Sequence, residues 1–273
     1  MRLTLKRFKA EAKISGFFDH IHIFTERDLP DDLRSYCNSN PRGYGYYIWK
    51  PYFTMKVLSE ISTGDVLIWV DGGSSIYPSG HQKFMYYVEK CKASQYKNLG
   101  FEGWSEHYET KYTKKAVFSV LDANDFYSKE SFGENLSLMA GCFFIEKCKF
   151  TTDIVSLWFV TCRDFRFTLD DSPDEDGVVK WDHRHDQSVW SVIRRKHGCE
   201  IIPHPDRTWV RHSNLTWFSE IDEPKIPAYG SLNWYLRRRK MKIPIILSRY
   251  RLTGWRGALR YYITFIFLKV LGS

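Results

Sequence analysis

Three groups of residues in this chain have the types and spacing for chemistry. The first is Asp71, which closes the apolar run Val66 to Val70 and is followed by Gly72 and Gly73. A carboxylate at the end of a buried strand, before small residues, stands where open α/β sheets place their ligands. There it would bind a metal–diphosphate, or the hydroxyls of a ribose or sugar, with the glycines letting the ligand approach the backbone. The plain alternative is a turn that follows a strand.

The second group is Arg42, Tyr44, Tyr46, Tyr47, Trp49 and Lys50, six side chains within nine residues. Aromatic faces suit a nucleotide base and cations suit its phosphates. The alternative places Tyr47 and Trp49 in the core. It is weaker for Arg42 and Lys50, because charges are rarely buried without a partner. The third group is Trp181-Asp182-His183-Arg184-His185-Asp186-Gln187-Ser188. Two histidines, an arginine and two carboxylates just before a helix make an acid–base site, whereas Asp186 by itself also suits a helix cap. Lys114 is a further phosphate ligand by type. His212 is the residue late in the chain that would complete a metal site with Asp71; a surface loop is its plain reading.

These groups need elements to hold them. Residues 3–13 have helical periodicity, Phe18 to Phe24 alternates as a strand, and Leu33 to Asn40 reads as a short helix or loop. Pro51 suits the first turn of a helix over Tyr52 to Ile61, whose apolar face is Phe53, Val57, Leu58 and Ile61. Val66 to Val70 is apolar throughout and predicts a strand in the middle of a parallel, helix-flanked sheet. Helices follow at Ser79 to Lys92, Ile154 to Arg163 and Asp186 to Lys196. Strands follow at Leu136 to Ile145, with a bulge near Ala140-Gly141, and at Glu200 to Ile202. Val117 to Leu121 reads as strand or short helix, and residues 97–115 show no period. Asp170 to Gly177, acidic with Pro and Gly, predicts an exposed, mobile loop. Helices alternating with strands predict the α/β class.

The 273 residues carry a formal +8, distributed unevenly. Beyond Glu223 there are eleven basic residues and no acidic one, so residues 1–223 carry −3. A polyanion or an anionic membrane is therefore expected to meet the tail, not the body. From Trp255 on, Leu259, Tyr262, Ile263, Phe265, Ile266 and Val270 are dense among the basic residues, which fits a helix lying in a membrane interface. Docking of that helix on the body is the alternative. Such dense aliphatics argue against a nucleic-acid partner. No run reaches the roughly 18–20 apolar residues of a membrane span, and the charged N-terminal stretch lacks the apolar core of a signal peptide. The six cysteines have no CxxC pair, as expected of reduced thiols in a cytosolic protein.

Taken together, Arg42 to Pro51 (RGYGYYIWKP), Asp71 to Gly73 and His183 to Ser188 (HRHDQS) resemble the GT-A-type glycosyltransferases of bacterial capsule and lipopolysaccharide assembly. The likeness covers roughly residues 3–215. It implies a GT-A fold, Rossmann-like, with a mostly parallel central sheet flanked by helices. This would be a catalytic domain over residues 1–223, with a basic amphipathic helical extension over 224–273. It implies sugar transfer from a nucleotide-sugar, with a UDP-sugar expected, to a hydroxyl of a surface polysaccharide or lipid-linked glycan. The implied donor ligands are Arg42, Tyr44, Tyr46, Trp49, Lys50, Asp71, Gly72, Gly73 and Lys114. Asp71 takes the place of the first DxD aspartate, acting directly or through Mg²⁺ or Mn²⁺, while Gly73 stands at the third position. Asp186, with His185, is the implied base of an inverting reaction, or orients the acceptor in a retaining one. Such folds open on a strand, which is expected here to be missing or very short. The expected place of work is the cytoplasmic face of the cell membrane, reached through 244–273. The rival classes are a nucleotide-binding, membrane-attached scaffold and a nucleotidyl- or phosphotransferase on a similar fold.

Overall fold

The computed structural model describes residues 2–103, 107–126, 136–164, 173–175, 177, 182–203 and 210–211. The basic tail and His212 lie outside them. Helix α1 (Arg2–Ser15) is followed by an irregular segment, then by α2 (Asp31–Ser39) and the short helical turn α3 (Gly43–Tyr46). Next come α4 (Trp49–Glu60), strand β1 (Val66–Val70), β2 (Ser75–Ile76), α5 (His81–Ala93) and β3 (Asn98–Glu102). The short helices α6 (Glu109–Tyr112) and α7 (Lys115–Val120) lead to β4 (Leu138–Glu146) and α8 (Lys149–Arg163). The described chain ends with α9 (Asp186–His197), β5 (Glu200–Ile202) and β6 (Val210–Arg211).

The protein is α/β, and its main sheet is small and mixed. The strand order is β1-β4-β3-β5. Strand β4 runs antiparallel to both β1 and β3, and among the described residues only β3 and β5 pair in parallel. This corrects the expectation of a mostly parallel sheet with β1 inside it, since β1 lies at one end of the described sheet. An unbroken apolar run reports cover on both faces, not strand direction or position. Strands β2 and β6 form a separate antiparallel pair.

Strand β4 is the spine. Its pleat sends Phe143 and Ile145 into one core and Phe144 into the other. The first core lies under α4, α8 and α9. There Trp158 of α8 and Trp190 of α9 stack with centroids 4.5 Å apart, and Phe143 meets both edge-on. The second core holds Phe84, Tyr87 and Cys91 of α5 against Leu99, Phe101 and Phe144. Strand β4 also takes up the expected irregularity: Gly100 pairs with Phe143 but Glu102 pairs with Leu138, so the slack lies over residues 139–142.

Phe18 to Phe24 does not form a strand. Its aromatics act as anchors instead. Phe18 packs edge-on against Phe84, and Phe24 stacks on Phe53 at 4.3 Å. Residues 97–115, without period in the sequence, contain β3, α6 and the first residue of α7. Val117 to Leu121 resolves as helix rather than strand. In the acidic segment, Asp174 is buried rather than exposed. Its carboxylate accepts the backbone N–H groups of Lys115 and Ala116 at 2.6 and 2.8 Å, satisfying the free donors that open α7. Asp170, Asp171, Ser172 and Asp176 lie outside the described residues. All six cysteines are free thiols. No helix among the described residues is long and apolar enough to cross a membrane.

Candidate functional site

Three separate elements bring one charge each to a single point. Lys50 stands in the first turn of α4, Asp71 follows the last residue of β1, and Asp186 opens α9. Lys50 Nζ lies 3.2 Å from Asp71 Oδ1 and 3.3 Å from Oδ2, and 3.7 Å from Asp186 Oδ2. The Lys50 and Asp186 residues are only 6% and 2% exposed, whereas the Asp71 side chain keeps 23% of its surface. Asp71 is thus the mouth of the cluster, Lys50 its middle and Asp186 its floor.

Each position is fixed locally. The N–H of Asp71 donates to Gly141 O of β4, and its C=O accepts from Ser74, closing the turn that carries Gly72 and Gly73. The Trp69 indole donates to Asp71 Oδ1 at 2.8 Å, and its ring stacks on Phe143. Trp69 and Asp71 are two residues apart, so they share a strand face. Lys50 is held by α4, where Thr54 Oγ1 donates to its carbonyl at 2.8 Å. Its ammonium lies 5.4 Å from the Tyr47 ring centre and 5.8 Å from that of Trp49, within cation–π range. The C=O of Asp186 accepts the Trp158 indole N–H at 2.9 Å.

Burial pushes the Asp186 carboxyl up to about 7; Lys50 opposes this and the Asp71 charge adds to it. Burial pulls Lys50 down, yet the two carboxylates outweigh it, and its pKa stands above the ordinary value. Asp186 Oδ2 is buried without a hydrogen-bond partner among the described residues. An acceptor oxygen left so is costly unless another group reaches it.

Two strained segments meet at this cluster. Tyr44, Tyr46 and Tyr47 have φ of 51°, 53° and 64°, and His185 has φ 49° and ψ −118°. Bulky residues rarely adopt positive φ, and such strain gathers at ligand clamps and active sites. The Tyr46 ring is 4.9 Å from the His185 ring, and Tyr47 is 6.3 Å from it. Gly45, at φ +79°, makes the first segment possible: a Cβ there would lie 2.6 Å from Cys37 Sγ.

The HRHDQS segment is locked from the other side. His183 Nδ1 accepts the Lys114 N–H at 3.3 Å. Arg184 N–H and Ser188 Oγ both donate to Tyr112 O, and the Arg184 guanidinium lies over the Tyr112 ring. Lys114 is fully buried. Below it, Glu109 is pushed up to about 7 by burial while Thr113 and Ser191 donate to its carboxyl. That carboxyl ties α6 to α9.

The structure therefore brings Tyr46, Trp49, Lys50, Asp71, His185 and Asp186 together. Arg42 is exposed at the start of α3. Tyr44 packs in the core, with its hydroxyl on Asn38 Oδ1. A Cβ on Gly72 would touch Leu5 of α1, so packing also asks for a small residue there. Gly73 is half-buried. Trp69 escaped the sequence reading, although its i, i+2 spacing to Asp71 was the available signal.

A divalent ion fits this donor set poorly. Both Asp71 oxygens face the Lys50 ammonium, and Gly73 offers no side-chain ligand. At 4 Å and an effective dielectric of 20, the ammonium repels a doubly charged ion by roughly 8 kcal/mol, which cancels the attraction of one of the two carboxylates at that distance. No group of three His, Cys, Asp or Glu side chains able to hold a metal occurs among the described residues. Searches of protein-family models, curated proteins and solved structures return no match for this chain.

Proposed function

We propose that the chain is a GT-A-type glycosyltransferase. It moves a sugar from a nucleotide-sugar, a UDP-sugar in the first instance, to a hydroxyl of a surface polysaccharide or lipid-linked glycan. The observation that carries this reading is the buried Asp186 Oδ2. It is left without a hydrogen-bond partner beside Lys50 and Asp71 and belongs to a carboxyl pushed up to about 7. A carboxyl poised near neutrality, with an oxygen that has no hydrogen-bond partner among the described residues, suits removal of a proton from an acceptor hydroxyl. Attack of that oxygen on the anomeric carbon breaks the bond to the diphosphate, which leaves with the electron pair. The diphosphate is placed at the mouth, where Lys50 and the turn after Asp71 meet it. Tyr46 and Trp49 offer flat faces to the base or sugar. His185, packed on Tyr46, holds the approach to Asp186.

The basic tail over 244–273 supports delivery to an anionic membrane surface, where a lipid-linked acceptor resides. The test is a thermal-shift screen with UDP-, GDP-, CMP- and dTDP-sugars, followed by donor hydrolysis. Stabilisation by a nucleotide-sugar, with turnover abolished in a folded Asp71→Ala variant, is the expected result. Stabilisation by nucleotides without any transfer favours a binding scaffold. Nucleotidyl release from a nucleoside triphosphate favours the nucleotidyltransferase. No response to any nucleotide sinks the transferase reading.

A further inference from the structure

We infer that the Lys50 ammonium is a built-in cation. It occupies the place between Asp71 and Asp186 that a divalent ion would need, and it receives the donor diphosphate itself. The inference rests on the nucleotide-sugar reading for the identity of the anion, but not for the exclusion of metal.

The charge arrangement is the first support. Lys50 Nζ is within 3.3 Å of both Asp71 oxygens and 3.7 Å from Asp186 Oδ2. An ion bridging the two carboxylates would fall where the nitrogen already lies. The second support is that Lys50 is not free to leave. It is 6% exposed, its stem begins in the first turn of α4, and the rings of Tyr47 and Trp49 flank its ammonium. Swinging it out would strip the carboxylates of their counter-charge. The third support is composition: the turn after Asp71 supplies glycines where a second ligating side chain would be required. An ammonium carries three donors. Asp71 and Asp186 account for its two neighbouring charges, and the partly exposed Asp71 side is where a diphosphate oxygen can reach it.

The experiment uses the full chain and two separate readouts. The first is Mn²⁺ alone, followed by the loss of the free-ion electron paramagnetic resonance signal. Wild type and Lys50→Arg are expected to leave Mn²⁺ free. Lys50→Ala, with its two carboxylates unmasked, is expected to bind it, and Lys50→Ala/Asp71→Ala to lose it again. Uptake of one Mn²⁺ by the wild type that disappears in Asp71→Ala overturns the inference. So does a folded Lys50→Ala variant that takes up none. The second readout is binding of UDP by calorimetry. Wild-type affinity is expected to be unchanged between excess chelator and excess Mn²⁺. In chelator, Lys50→Ala is expected to lose about ten- to a hundredfold, the worth of one charge-assisted contact. Tightening of wild-type UDP binding by Mn²⁺ also overturns it. Circular dichroism confirms that each variant is folded. Should no nucleotide bind under any condition, the donor reading falls, and the Mn²⁺ readout still decides the cation.

Discussion

Replacing Lys50 by Met is a test of the site's electrostatics that needs no substrate. Met keeps the length and fills the space between Tyr47 and Trp49, so little of the effect comes from a cavity. What is lost is the charge 3.7 Å from Asp186 and 3.2 Å from Asp71. Asp71 is partly exposed and is hydrated in its place. Asp186 is 2% exposed and retains its proton instead. In the wild type burial pushes its carboxyl up to about 7, and Lys50 holds it down, so without Lys50 it rises further. At pH 6 Asp186 is already mostly protonated in both proteins, and the substitution costs about 1–2 kcal/mol. Above about 7 the wild type has ionised Asp186 and loses no further stability with pH, whereas the variant keeps that proton and continues to lose stability. One pH unit above a pKa near 7 is worth about 1.4 kcal/mol, so the destabilisation is larger at pH 8 by about that amount. Urea unfolding followed by tryptophan fluorescence at the two pH values measures it. A destabilisation equal at both, or smaller at pH 8, would refute the coupling of Lys50 to Asp186.

Wild-type stability and activity are expected to respond to pH in opposite directions. The folded-state pKa of Asp186 is raised, so its contribution to stability is present below the unfolded value near 4 and lost as pH rises through about 7. Transfer by an ionised base instead increases through the same region, and Asp186→Asn is expected to remove that rise from the pH–rate profile. Gly45→Ala places a methyl 2.6 Å from Cys37 Sγ at φ +79°. The positive φ and the overpacking together are expected to cost about 2–4 kcal/mol in chemical denaturation; a loss below 1 kcal/mol would show that the α3 turn relaxes. Deleting residues 244–273 is expected to release the protein from anionic vesicles in a flotation assay, and continued binding places the membrane contact elsewhere.

The helices were largely legible because their apolar faces are repetitive. The reading of Tyr52 to Ile61 lies within a residue or a few of Trp49–Glu60, and Asp186 to Lys196 differs from α9 by one residue. Strand β1 was legible to its ends, but its place in the sheet was not, because an all-apolar run carries no record of which strand lies beside it. Strand β3 was hidden by Asn98 and Gly100. Each is there for a contact with a distant partner: Asn98 donates to Gly198 O, and Gly100 leaves room for the buried Arg194. The site residues were visible as three groups. Their meeting was not, since Lys50, Asp71 and Asp186 stand on α4, at the end of β1 and at the start of α9, far apart in the chain, and Asp71 is aligned by donating its N–H to Gly141 O of β4. In the acidic segment Pro173, Glu175 and Gly177 are exposed as expected, but Asp174 is not, because composition marks a segment as polar without saying which carboxylate finds a helix end.

The position of β4 also bears on how the protein is made. Lys50 and Asp71 leave the ribosome close together, and the strand that binds β1 follows long after it. Asp186 comes later still. Until β4 emerges, β1 lacks the one partner seen for it in the described sheet, and its apolar residues Val66 to Val70 present an open edge of the kind that aggregates. Sheet closure between such distant segments is slow. A nascent chain halted before α9 lacks Asp186, so a ligand that needs all three charges recognises only a chain whose synthesis has passed the start of that helix.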